Sequence, residues 1–208
     1  WALAYLAHRY SFLGEHARAI DAGESARRVA EALDDLGLRV VANYYVGQAL
    51  WFAGDPHRAA DSLRAAIALI EGPAFGERFG MTALSAVVAR WALAEVLAEQ
   101  GGFAEAIAAG EEGLRIAQTA GHRQSEIYAR YGLGYAHLRH GDFAAASRVL
   151  EPGLALCRDL EVRVALPFIA DSAGFLLGAV LVARLVYREG SVATPDPTAT
   201  ERTHIRAD

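Results

Sequence analysis

The sequence predicts an all-α fold: a right-handed α-solenoid of stacked antiparallel helix pairs, with about four repeats plus a partial fifth helix. Three observations predict it. Four stretches align without gaps, Leu6–Ala19, Val46–Ala59, Leu93–Ala106 and Leu133–Ala146. No run of alternating apolar and polar residues marks a strand. Apolar residues make up 53% of the chain, ample for a core. Self-similarity at a fixed period is the signature of stacked supersecondary units, each unable to bury its apolar face alone.

Each aligned column has a physical reason. The turn glycines Gly14, Gly54, Gly101 and Gly141 suit a left-handed backbone at a helix C-terminus. Seven residues earlier stand Ala7, Gly47, Ala94 and Gly134, small enough for a partner helix to come close. Glu15, Asp55 and Asp142 follow the glycine, where free N–H groups and the helix dipole favour negative charge. Pro56 fits a first helical turn, where its missing N–H costs nothing. Five residues after the glycine is always alanine, at 19, 59, 106 and 146, which leaves room for the helices to cross. The predicted first helices run over about 2–13, 39–53, 81–100 and 124–140. The second helices run over about 16–36, 57–71, 103–120 and 143–159. Residues 71–80, with Gly72-Pro73 and Gly76, form the longest internal loop. Gly23, Gly110, Gly113 and Gly132 fall inside helices, at about 1 kcal/mol each against alanine, so these helices depend on their neighbours.

This pattern resembles the tetratricopeptide repeat. The large–small pair, turn glycine, acidic residue and downstream alanine appear as Val46-Gly47, Gly54, Asp55 and Ala59, and again as Leu133-Gly134, Gly141, Asp142 and Ala146. Phe103 and Phe143 stand where that family places an aromatic after the turn. The resemblance covers roughly residues 1–160. The period exceeds the usual ~34 residues, and the family's proline after the second helix is missing except at Pro73. The stretch from Gly76 to Phe143 is similar to the C-terminal repeat region of large bacterial regulators of the adenylyl-cyclase/ATPase or LuxR type. That resemblance implies the sensor or interaction region of a signalling protein, in the cytoplasm. The chain begins at Trp1 and reads as a fragment of a longer protein.

Composition excludes several chemistries. All 20 Lys+Arg residues are arginine, as the codons of a GC-rich genome favour. Without lysine there is no P-loop and no Schiff-base nucleophile. The formal net charge of −5 leaves no electrostatic footprint for nucleic acid. Cys157 is the single cysteine, so no disulfide framework forms and a reducing compartment fits. His137 and His140 lie three apart without a third ligand nearby, so no metal is expected, and they suit the dipole at a helix C-terminus. Gly132-Leu133-Gly134 follows no strand and lacks the third glycine of a dinucleotide fingerprint. Glu111 and Glu112 read as a solvated helix face. No catalytic residue and no cofactor are expected.

The resemblance also implies where a ligand sits. In that family's geometry the concave face carries positions thirteen, ten, six, three and two before the turn glycine. Here these are Trp1, Ala4, His8, Ser11 and Phe12; Val41, Tyr44, Gln48, Trp51 and Phe52; Val88, Trp91, Glu95, Ala98 and Glu99; and Tyr128, Tyr131, Tyr135, Leu138 and Arg139. The set holds every tryptophan and half the tyrosines, and aromatic side chains are enriched in binding hot spots. The expected groove is His8, Phe12, Tyr44, Gln48, Trp51, Phe52, Trp91, Glu95, Glu99, Tyr128, Tyr131, Tyr135 and Arg139, binding a peptide or protein segment, with a small inducer second. The alternative is that these rings pack between first helices as core.

Residues 1–160 thus form the repeat array. Residues 161–190 read as an apolar partial fifth repeat or capping helix, and 191–208, rich in Thr, Pro and charge, as a disordered tail. Residues 164–187 could alternatively serve a homo-oligomer or anchor the chain in a membrane, although Asp171 would cost about 2.5–3.5 kcal/mol near a bilayer's centre.

Overall fold

A computed structural model describes residues 1–70 and 72–159. The partial fifth repeat, the oligomerising or membrane-anchoring reading of 164–187, and the tail at 191–208 lie outside the described residues. Eight α-helices are described, as four antiparallel pairs: α1 (Ala2–Phe12) with α2 (His16–Leu33), α3 (Leu36–Phe52) with α4 (Pro56–Ala68), α5 (Ser85–Glu99) with α6 (Phe103–Thr119), and α7 (Arg123–His140) with α8 (Phe143–Asp159). Each second helix also touches the next first helix, and first helices stack on one another, which makes an all-α repeat solenoid. Among the described residues there is no strand, and no helix is long and apolar enough to cross a membrane.

The four turns are built identically. Gly14, Gly54, Gly101 and Gly141 take φ of +75°, +84°, +79° and +89°. Each glycine N–H donates to the carbonyl three residues back, and the next residue's N–H donates to the carbonyl five back, as in Asp55 N to Leu50 O at 2.9 Å. This closes the orphan carbonyls of the first helix. Asp55 and Asp142 then accept from the N–H of Arg58 and Ala145 at 3.2 and 2.9 Å, which caps α4 and α8. Ala19, Ala59, Ala106 and Ala146 are all 0% exposed, at the crossings their column predicts.

Two helix starts differ from the sequence expectation. α3 begins at Leu36 instead of 39, because the Asp35 carboxylate accepts the Leu38 N–H at 2.9 Å and caps it early. α5 begins at Ser85 instead of 81. A 3-10 turn at Gly72–Gly76 is followed by an irregular segment in which Phe79 and Gly80 are left-handed (φ 44° and 76°), incompatible with a helix. The Ser85 hydroxyl and N–H donate to the carbonyls of Arg78 and Glu77, and the Leu84 N–H donates to the buried Ser125 hydroxyl at 2.8 Å. The segment is therefore pinned to α7. Pro152, inside α8, is a further departure: its ring removes one helical N–H donor.

The Gly132-Leu133-Gly134 run serves helix packing. Gly132 lies against α5, where an added Cβ would sit 3.1 Å from Trp91 Cα. Gly134 lies under Leu150 of α8, and Leu133 meets Gly110 of α6.

Two glycines of α6 should respond oppositely to alanine. A Cβ on Gly110 would stand 2.9 Å from Leu133 Cα, whereas one on Gly113 would meet only Arg90 Cβ at 3.5 Å and Ala129 Cβ at 3.9 Å. Gly110→Ala should lose about 1–3 kcal/mol of unfolding free energy by overpacking, and Gly113→Ala should gain about 0.5–1 kcal/mol from helix propensity. Urea denaturation followed by circular dichroism measures both; equal signs would mean that the α6–α7 crossing is not as close as described.

Candidate ligand-binding site

Along the solenoid the first helices do not stack evenly. α1 lies against α3 and α5 against α7, but α3 and α5 meet only at their edges. The spacing of turn glycines is 40 residues on either side of this junction and 47 across it, and the excess is the segment between α4 and α5. The space left is a cavity of about 740 Å³, within the range of ligand sites.

α1 lines it with Tyr5, His8 and Phe12, and α3 with Tyr44, Tyr45, Gln48, Trp51 and Phe52. α5 adds Val88, Trp91, Ala92 and Glu95; α7 adds Ile127, Tyr128 and Tyr131. Leu63 of α4 and the Gly80–Thr82 segment complete it. Of the expected groove, His8, Phe12, Tyr44, Gln48, Trp51, Phe52, Trp91, Glu95, Tyr128 and Tyr131 are thus brought together. Glu99, Tyr135 and Arg139 are not part of it. They form a cluster one helical turn further on, where the Tyr135 hydroxyl donates to Glu99 and Arg139 reaches the same carboxylate at 3.0 Å. The concave-face expectation needs a second correction: Ala4, Ser11, Val41 and Ala98 are buried, at most 3% exposed. Ala4, Val41 and Ala98 belong to the main core cluster, and the Ser11 hydroxyl donates to the Ala7 carbonyl of its own helix.

Contacts run along columns of the repeat. Two before the glycine, Phe12 meets Phe52 edge-on at 5.9 Å, and Glu99 pairs with Arg139. Six before, His8 Nδ1 and Gln48 Oε1 are 2.8 Å apart. Ten before, Trp91 meets Tyr131 at 6.0 Å, and it meets Tyr128 at 5.0 Å. Sequence reasoning missed Tyr5 and Tyr45, both nine before the glycine, whose rings lie 6.3 Å apart. The signal was present: that column reads Tyr5, Tyr45, Ala92, Gly132, large in two repeats and small in the next two. Met81 and Thr82 carry no column and had no signal.

The electrostatics centre on Glu95. It is 4% exposed, and burial pushes its carboxyl from 4.5 up to about 8; Trp91 and Tyr131 act the other way, favouring the charged form, and Glu99 raises it slightly. The Trp91 indole N–H lies near the carboxylate but has no hydrogen-bond partner of ordinary geometry. Burial also raises Tyr44, which feels Glu95 and Tyr128, and lifts the Tyr45 hydroxyl to about 12. Tyr135 is raised by burial and by its hydrogen bond to Glu99. Elsewhere, Cys157 is buried against Ile127 and Leu154, and Glu112 pairs with Arg115 on the surface. His140 stacks on Phe103 at 5.0 Å in the last turn of α7. No group of three His, Cys, Asp or Glu that could hold a metal ion occurs among the described residues.

The class this architecture defines is the tetratricopeptide-like helical repeat protein. Among solved structures, the apo form of RapI aligns with a TM-score of 0.68 at 12% identity, covering 90% of this chain and 67% of that one. TPR-like repeats of a putative kinesin light chain from Podosopora anserina align at 0.59 with 17% identity, covering 92% and 96%, and a single-substitution variant of them at 0.58 with 16% identity, covering 86% and 95%. At such identities the likeness is one of fold. No protein-family model matches the chain, and no curated protein matches it.

Glu95 gives the site a measurable signature. Its folded pKa is raised, so between about pH 4.5 and 8 the native state holds a proton that the unfolded state has lost. Stability should therefore fall as pH rises through that window. Glu95→Gln should remove this slope and make the protein more stable at pH 8 than the parent, on the order of a few kcal/mol. Urea midpoints at the two ends of the window measure it; parallel pH profiles for both proteins would place Glu95 in water.

Proposed function

We propose that this chain is the ligand-binding repeat region of a larger bacterial signalling regulator, working in the cytoplasm. In this reading the cavity between α3 and α5 receives a peptide or protein segment. The observation that carries the reading is the aromatic lining: rings from successive first helices converge on one space open at one side. Large rigid side chains supply contact area at little entropic cost, and Tyr and Trp add a polar handle. His8, Gln48 and Glu95 provide the few polar groups that orient a ligand in a mostly apolar pocket. The placement within a regulator rests on the sequence resemblance of Gly76–Phe143. No catalytic role is assigned. A small inducer is the second reading, favoured by the modest volume of about 740 Å³.

Phe12 is the residue to change, because it is 54% exposed at the cavity rim and can be truncated at little cost to the fold. Peptides selected from a displayed random library on the parent chain should bind Phe12→Ala at least about tenfold more weakly, with the urea midpoint unchanged. Peptides that bind both proteins equally would place the binding surface elsewhere on the solenoid.

A further inference from the structure

Glu95 is the one carboxylate of the cavity lining, and it is set among rings. Tyr44 from α3, Trp91 from α5, and Tyr128 and Tyr131 from α7 share the space with it. Among the described residues no arginine or histidine forms an ion pair with it. Its neighbour one turn on, Glu99, is engaged by Tyr135 and Arg139 instead. A buried carboxylate without a cation is costly, and aromatic faces attract cations through their quadrupoles. We infer that the cavity selects ligands carrying a cationic nitrogen on an apolar stem, with that nitrogen seated against the Glu95 carboxylate between the faces of Tyr44, Trp91 and Tyr128. The stem then lies along Tyr45, Trp51 and Phe12 toward the open side. The inference rests on the cavity being the ligand site and specifies the chemistry of its occupant. An arginine side chain of a peptide and a free organic amine share that chemistry.

The empty and occupied states differ by a proton. Burial holds the Glu95 proton up to about pH 8, and a bound cation needs the carboxylate, so binding releases that proton. The groups that face Glu95 are Tyr44 from α3, Tyr131 and Tyr135 from α7, and Glu99 from its own helix; α4 presents only Leu63 to the cavity, and α6 contributes no lining residue. Tyr44 and Tyr135 are raised and stay neutral in this range. His8 is held by Gln48 on the α1 side of the cavity, so the charge that the cation's nitrogen meets is that of Glu95.

Titration calorimetry with four probes tests this: phenethylamine against 2-phenylethanol, and acetyl-Ala-Arg-Ala-amide against its citrulline counterpart. One cation at least should bind about tenfold or more tighter than its neutral partner above pH 8. Its affinity should fall about tenfold per pH unit below 8, and that of the neutral partner should not. Glu95→Gln should bring the pair within about twofold, while Glu99→Gln keeps the preference. Which cation prevails identifies the source, amine or peptide. Neutral probes binding as well as cations, with loss on Phe12→Ala, would overturn the cation preference and leave the cavity as the ligand site. No binding by any probe would overturn both. The parent's pH profile needs no variant, so a poorly folding substitution leaves the test intact.

Discussion

How closely one first helix can approach the next decides everything on the concave face. Where Gly132 meets Trp91 the backbones of α5 and α7 come within a side chain's width, and Trp91, Tyr128 and Tyr131 are forced into one ring cluster. Between α1 and α3 the same column carries Tyr45, whose ring meets Tyr5 and His8 of α1. Between α3 and α5, where the chain inserts Gly72–Leu84 between α4 and α5, the first helices touch least. Close packing is the default of protein interiors, and a space of this size between helices forfeits dispersion contacts on every wall. The inserted segment is pinned by Ser85, Ser125 and Tyr5, whose hydroxyl reaches the Gly80 carbonyl at 3.3 Å. The opening is thus held by specific hydrogen bonds, and a left-handed phenylalanine, Phe79, is retained within it.

The repeat's turns and crossings obey local rules closely. The four turns repeat one hydrogen-bonding scheme, and the alanine column is fully buried throughout. Around the cavity, a carboxyl is buried among rings, the Trp91 indole N–H reaches it only outside ordinary hydrogen-bond geometry, and a non-glycine residue sits at positive φ. Departures also occur away from the cavity, at Asp34 (φ 49°) and at Pro152 inside α8, but the one buried carboxylate of the cavity is the departure that bears on a ligand.

Much of the fold was legible because repeat columns translate directly into contacts. Phe12 and Phe52, His8 and Gln48, and Glu99 and Arg139 each share a column and each touch across neighbouring repeats. The glycine turns were readable from one residue type, since only a left-handed cap satisfies that position cheaply. The start of α5 was not, because residues 81–84 are apolar enough to continue a helix and only the backbone at Phe79 and Gly80 sets them apart from it. The concave set was half legible. Periodicity locates a face, but whether Ala4 and Ser11 are covered while Trp51 borders open space depends on how far apart helices stand, and spacing within one helix carries no such information. The missed pair Tyr5 and Tyr45 was visible only as a size change down one column.

The two carboxylates of α5 separate by environment. Glu95 and Glu99 are one turn apart on one face, yet Glu99 is met by an arginine as well as a tyrosine hydroxyl, whereas Glu95 is buried and its polar neighbours, Trp91 and Tyr131, carry no charge. The four-residue step moves a side chain from the junction of α5 with α7 and its charged end into the space beside α3. That space adjoins both halves of the solenoid, the pairs α1–α4 on one side and α5–α8 on the other, at the place where their first helices touch least. Any ligand that fills it touches both halves and adds contacts where the array has fewest. In a repeat protein, whose stability is a sum of nearest-neighbour interfaces, occupancy of this cavity is thereby coupled to the weakest interface between first helices.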